Sequence, residues 1–195
     1  MMTFKMRPVR RVVTGNDESG LSKVLFDSHA PNVNIGTIAA SAGMTDIWVY
    51  HQTPAIVSGY RDDGNLPFSF DPPNEGGHLR IVQSASKPSN YKAELDTTAV
   101  PLHEPRLRKN GHTWDRGGQN AFSSPVHQSE TIDYGVMMFG KRTLILDDGQ
   151  REMLPGDTIV QLANWHGWTN PHDESSMAFI MMGGVPRTHQ KKDPF

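Results

Sequence analysis

From Val126 to Gly184 the chain breaks into short apolar and β-branched runs: IDYGVMMFG, RTLILDD, REML, DTIVQ, WHGWTN and MAFIMM. Gly, Asp and Pro punctuate them at a spacing of roughly 8–12 residues, the pattern of an antiparallel sandwich or barrel. Asp147-Asp148-Gly149 is a hairpin signal, because Asp-Gly supplies the positive φ of a tight turn. Pro155-Gly156-Asp157 marks a further turn. The chain carries 18 Gly and 14 Pro in 195 residues, which favours turn-rich, all-β structure.

The N-terminal part is sparser. Arg11 to Asp27 reads as a hairpin, RVVT and SKVLFD around a polar NDESG turn. Ala30 to Gly43 is rich in small residues and weakly patterned. DIWVYHQ (Asp46–Gln52) reads as a strand with Trp48 and Tyr50 on one face. Thr53 to Gly77 reads as loop, and HLRIVQ (His78–Gln83) as a strand. Ser84 to Pro125 has little pattern beyond a short helix near Lys92 to Thr98, and a loop of that length is either a lid or mouth or a solvated surface excursion. The division expected is residues 1–77 as N-terminal strands and extension, packing on the barrel or on a dimer partner, 78–184 as the barrel, and 185–195 as a polar tail, all in one structural domain.

Composition narrows the function classes. With 19 Lys plus Arg against 21 Asp plus Glu the net charge is −2, so no charge excess argues for nucleic acid or an anionic membrane as partner. The basic run RLRK (Arg106–Lys109) has no interleaved aromatics. Cysteine is absent, which removes disulfides, thiolate metal sites and cysteine nucleophiles, and fits a reducing compartment. The opening MMTFKMRPVRR has no apolar core of a secretory signal. Met177 to Val185, the longest apolar stretch, has about half the roughly 18 residues of a membrane span. The expected location is cytoplasmic. There is no P-loop and no GxGxxG after a strand, so no nucleotide cofactor is expected; GxSxG and HExxH are absent too.

Two segments resemble the paired motifs of the cupin superfamily. The first family motif is HxH, three or four residues, Glu, six residues, Gly. Here His127-Gln128-Ser129 is followed by Glu130-Thr131-Ile132, Asp133, YGVMMF and Gly140. The second follows a Gly-Asp turn with Pro-x-Gly-x-x-His-x-x-x-Asn. Here Gly156-Asp157 opens it, Gln161 stands at the Pro position, Ala163 at the Gly position, and His166-Gly167-Trp168-Thr169-Asn170 closes it. The resemblance implies a double-stranded β-helix, or jelly-roll, barrel with N-terminal strands and a long loop or short helix. It also implies a homodimer and a small-molecule substrate.

A full family site gives three His and one Glu to a divalent ion. Carried over by position, this chain offers His127, Ser129 for the second His, Asp133 for Glu, and His166. Two imidazoles and a carboxylate can hold Fe, Mn, Ni or Zn. The alternative is a metal-free pocket in which a His–Asp pair does acid–base work. His127, Asp133 and His166 are therefore both the candidate metal ligands and the candidate catalytic residues. Ser129, Thr131, Arg80, Trp165 and Trp168 are candidate substrate-binding residues: hydroxyls beside Asp133, a guanidinium for a carboxylate, and an aromatic wall around His166. Tyr134 should point outward. Met137, Met138, Met177, Met181 and Met182 read as adaptable core. His78, His103 and His112 are weaker replacements for the missing histidine; His29, His172 and His189 receive no role. The function expected is non-oxidative lyase or isomerase chemistry (decarboxylation, dehydration or cyclisation) on an oxygenated metabolite. The alternatives are a non-haem Fe(II) dioxygenase and a non-catalytic ligand-binding cupin.

Overall fold

The computed structural model describes residues 5–57, 60–109, 111–170 and 173–186. His172, His189 and most of the expected tail at 185–195 lie outside the described residues. In chain order the strands are β1 (Arg10–Asn16), β2 (Ser22–His29), β3 (Asn32–Ile35), β4 (Ala42–Tyr50), β5 (Gly77–Ser84), β6 (Arg106–Leu107), β7 (Thr113–Asp115), β8 (His127–Ser129), β9 (Thr131–Phe139), β10 (Arg142–Leu146), β11 (Gly149–Met153), β12 (Thr158–Leu162), β13 (Gly167–Thr169) and β14 (Ser175–Gly183). A single 3-10 turn at Ala93–Leu95 stands where a short helix was expected.

The expected all-β jelly-roll barrel is observed. Its large wall is a six-stranded antiparallel sheet in the order β12-β9-β14-β5-β4-β3. Two three-stranded sheets, β11-β10-β13 and β6-β7-β8, form the rest. Backbone bridges at Ser123–Thr169 and His127–His166 stitch these two together. Alternation along each strand sends one set of side chains inward. Met44, Val82, Met137, Leu144, Met177, Phe179 and Met181 thereby share a core with Trp168 and Met153. Thioether side chains fill much of that interior, and their flexibility suits the irregular space inside a twisted sheet. Met138 is a correction to the expected core: it alternates outward and is exposed.

Two glycines are required by space. A Cβ on Gly135 would lie 2.7 Å from the Ile159 side chain and 2.8 Å from the Phe179 ring, so only hydrogen fits at this inward position of β9. Gly140 turns the chain at φ +67, and a Cβ there would meet the Glu174 carbonyl at 2.1 Å.

Two expectations about layout change. The boundary at residue 78 does not hold, because β3 and β4 pair into the barrel wall beside β5. The barrel therefore starts near residue 32, and only the β1–β2 hairpin stands apart. That hairpin docks through Phe26, whose ring centroid is 6.4 Å from that of Trp48, and through Arg11, buried and paired with Asp62. The segment Ser84–Pro125 is not one long loop: β6 and β7 extend a sheet onto β8. No helix among the described residues is long and apolar enough to cross a membrane.

Candidate active site

The inner face of the barrel encloses a cavity of about 50 Å³. Its polar wall includes His127, Asp133, Gln161, His166, Arg80 and Arg142; its apolar wall includes Met44, Val82, Phe70, Trp168 and Phe179. A larger cleft of about 390 Å³ lies elsewhere, between residues 5–10 and the outer face of the sheet, and none of the six polar residues borders it.

The two histidines are brought together by the backbone. His127 donates its N–H to the His166 carbonyl at 2.8 Å, and His166 returns the bond at 2.9 Å. Residues paired in this way project side chains to the same face, and the two ring centroids are 4.3 Å apart. Each Nδ1 sits on a backbone carbonyl: His127 on Pro125 at 2.8 Å, His166 on Asn164 at 2.9 Å. A carbonyl only accepts, so Nδ1 carries the proton and Nε2 keeps its lone pair. Burial disfavours the imidazolium. It draws His166 down to about 4, against the Asn164 carbonyl. It draws His127 well below its ordinary value, with His166 adding to the effect. Both rings are neutral bases at neutral pH.

Asp133 projects from β9 directly opposite Gln161 of β12. Burial pushes its carboxyl up to about 6, opposed by the Thr131 hydroxyl and the Arg80 charge. Its Oδ1 has no hydrogen-bond partner, and neither end of the Gln161 amide has one. The carboxylate is hydrogen-bonded to neither imidazole. Among the described residues no three His, Asp or Glu side chains are gathered closely enough to hold one ion. Among the described residues the site thus offers two ligands side by side rather than the three expected.

The other expected site residues divide. Trp168 lines the cavity, edge-on to Phe179. Trp165 does not; it lies under the Arg116 guanidinium, 4.9 Å away. Thr131 and Ser129 are buried on the Asp133 face, but the Ser129 hydroxyl is tied to that of Thr113 at 2.6 Å, which in turn bonds Asp71. Ser129 therefore belongs to the strut fixing the Asp71 loop to β7. Arg80 does face inward, but it is not free for a substrate. It donates to both Asp46 carboxylate oxygens, at 2.6 and 3.1 Å, and to the carbonyls of Phe70 and Ser69 at 2.9 and 2.6 Å. Its role is to hold the segment carrying Phe70, whose ring meets His127 edge-on at 5.7 Å. Of the spare histidines, His78 is buried on β5 beside Met181 and in the same cross-strand row as Asp133. His103 lies in a loop 3.4 Å from Asp115. His112 donates its backbone N–H to Asp71.

No protein-family model matches the chain. It is 44% identical over 187 residues to the phomopsin biosynthesis cluster protein D of Diaporthe leptostromiformis, covering 93% of this chain and 82% of that one. It is 46% identical over 113 residues to the cupin-domain-containing oxidoreductase virC of Hypocrea virens, covering 56% of this chain. The chain belongs to the cupin superfamily. This cupin spans little more than half the length of virC, 58%. Among solved structures, the polyketide cyclase RemF of Streptomyces resistomycificus is similar at 14% identity and a TM-score of 0.42, over 86% of this chain and 87% of that one. That likeness is too loose to bear on the chemistry.

Gln161, Arg142 and Phe70 line the cavity, although the second motif gives Gln161 no site role and neither motif includes Arg142 or Phe70. Alternation in TIVQL would have found Gln161, since Gln161 shares the inward face of β12 with Ile159 and lies opposite Asp133. Alternation in RTLIL likewise places Arg142 inward with Leu144. Phe70 sits in a strandless loop and gave no periodic signal.

Proposed function

We propose that this cupin is a small-molecule enzyme whose barrel cavity carries out lyase- or isomerase-type chemistry on an oxygenated metabolite. The observation that carries this reading is that two neutral imidazoles, each with Nε2 unprotonated, and a carboxylate with an unpartnered oxygen line one buried, largely apolar cavity. Such a set can take a proton from one carbon or oxygen and return it to another, and the dry wall strengthens each interaction with developing charge. The cavity is far smaller than the roughly 300–1,000 Å³ of metabolite-sized sites. A metabolite-sized substrate therefore requires the wall to yield, and the loop that carries Phe70 is its strandless part.

The relatives, a cupin-domain-containing oxidoreductase and a biosynthesis cluster protein, favour a second reading, an oxidoreductase of a biosynthetic pathway. One experiment separates the two. The gene is deleted in its host, and the accumulated precursor is compared with the lost product by mass spectrometry. Equal masses, or a difference of water or carbon dioxide, support the lyase or isomerase reading. A difference of two hydrogens or of oxygen atoms, with stoichiometric iron in the purified protein that is lost in His127→Ala and His166→Ala, establishes the oxidoreductase instead. Complementation with His166→Ala or Asp133→Asn is expected to leave the precursor unconverted, with a loss of at least about a hundredfold in turnover. Conversion at the wild-type rate would remove those residues from the chemistry.

We further propose that the protein is a homodimer. Val160, Tyr134 and Ile180 form a continuous row across the outer face of the large sheet, continued by Leu79 and Trp48. The first three are exposed, an apolar stripe of the kind that usually marks an interface. Light scattering is expected to give twice the chain mass, falling to one chain in Tyr134→Lys/Val160→Lys; a monomeric wild type would refute this.

A further inference from the structure

The cavity holds a charge that the chemistry above does not use. Arg142 enters the barrel from β10 and is only 3% exposed. Its protein partners are two hydroxyls: Ser175 accepts from Nε at 3.1 Å, and Ser84 accepts from Nη2. These serines are themselves register partners on β14 and β5, so the guanidinium reaches across one end of the barrel to the opposite wall. Among the described residues no Asp or Glu pairs with it. The other buried arginines differ: Arg80 is spent on Asp46, and Arg11 on Asp62. A buried cation without a counter-ion costs several kcal/mol. Two neutral hydroxyls offset only part of that, and desolvation accordingly draws the guanidinium down to about 10.

The position of that charge matters as much as its cost. Arg142 borders the same cavity as His127, Asp133 and His166, and also the small adjoining recess toward Ala42 and Asn170. Trp168 and Ile38 flank it on both sides of that junction. A planar two-oxygen anion is the group that a guanidinium fork with unspent N–H donors recognises best. We propose that Arg142 is the substrate-anchoring residue of this cupin and binds the carboxylate of a small organic acid, setting the rest of that molecule against the His127–His166 pair. This rests on the reading of the cavity as the reaction site and names its substrate class. Arg80, the arginine that the sequence offered for this task, is unsuited to it because four of its five donors are committed to Asp46, Ser69 and Phe70.

The test uses acetate as probe and acetamide as its uncharged isostere, both small enough for the cavity as it stands. Binding to the full chain is read by calorimetry and by thermal shift at fixed ionic strength. Acetate is expected to bind and stabilise the wild type, and acetamide is not. Arg142→Met is expected to weaken acetate by about tenfold or more without lowering the melting temperature, since removing a buried unpaired charge relieves a cost. Arg142→Lys, which keeps the charge but not the fork, is expected to fall between the two and serves alone should Arg142→Met not fold. Equal binding of acetate and acetamide, or undiminished acetate binding in a folded Arg142 variant, overturns the assignment. A melting temperature that falls in Arg142→Met with acetate binding unchanged makes the residue structural. The assay requires no turnover, so its outcome is independent of the deletion experiment: the anchor can fail while the chemistry stands, and the reverse.

Discussion

Asp46→Asn is expected to destabilise the protein by about 3–5 kcal/mol, the cost of leaving a buried charge without its partner. Asp46 and Arg80 have side chains only 3% and 1% exposed, and they meet through two hydrogen bonds. The two residues face each other across β4 and β5 in register. Neither charge can turn to water when the other is neutralised. The consequence extends to the site, because Arg80 also holds the Ser69 and Phe70 carbonyls, and its guanidinium lies 4.8 Å from the Phe68 ring centroid. Hydrogen exchange at residues 66–73 should therefore quicken in Asp46→Asn beyond what global destabilisation explains. The double variant Asp46→Leu/Arg80→Met removes both charges but orphans the two carbonyls, each worth about 1–3 kcal/mol, so it should recover only part of the loss. Urea unfolding measures the first effect; a change below about 1 kcal/mol would show that the pair is not the clamp described.

The same arginine shows where sequence reasoning reached and where it stopped. Arg80 was a candidate because it stands in a strand, and it does face inward; alternation put Asp133 inward and Tyr134 outward. What alternation cannot supply is the partner. Asp46 lies 34 residues away in sequence, and a bulge between Asp46 and Trp48 shifts the register that would connect them. The choice of arginine for an anion thus turned on a pairing visible only in three dimensions. The grouping of His127 with His166 was implied by the family resemblance, and the bridge between them gives that grouping its backbone basis. The strands β6 and β7 were not legible: they span two and three residues, too few to show a period, and they exist because β8 offers an edge to pair with. Ala163 is a further case. It stands where the family motif has Gly and adopts φ +50, so the turn needs a left-handed residue and this chain makes it with a side chain, anchored by the Gln128 amide on the Ala163 carbonyl.

Acidification should destabilise this protein well above the pH at which its ordinary carboxylates titrate. His78, His127 and His166 are all buried as neutral rings. Burial pulls His78 down to about 2, with the Arg80 charge adding, and His166 down to about 4; His127 is pulled well down too. In the unfolded chain each takes up a proton near 6.5. As pH falls below that value the unfolded state binds up to three protons that the folded state refuses, so stability falls with falling pH. Asp133 acts oppositely. Its folded value near 6 lies above its ordinary 3.8, so between those limits the folded state holds one proton more and offsets one histidine. The net is about two protons, or about 3 kcal/mol lost per pH unit through the middle of the window. Carboxylates held low by hydrogen bonds, such as Asp62 beside Arg11, add to the loss only below about pH 4. A domain with roughly 5–15 kcal/mol of stability would not survive that slope far below pH 5. Melting temperatures between about pH 7 and pH 5 test the sign, and a flat or rising curve on acidification contradicts it. His78→Phe removes one of the three sites without touching the imidazole pair, and its slope should be shallower by about 1.4 kcal/mol per pH unit. An unchanged slope in that variant would place the burden on His127 and His166 alone.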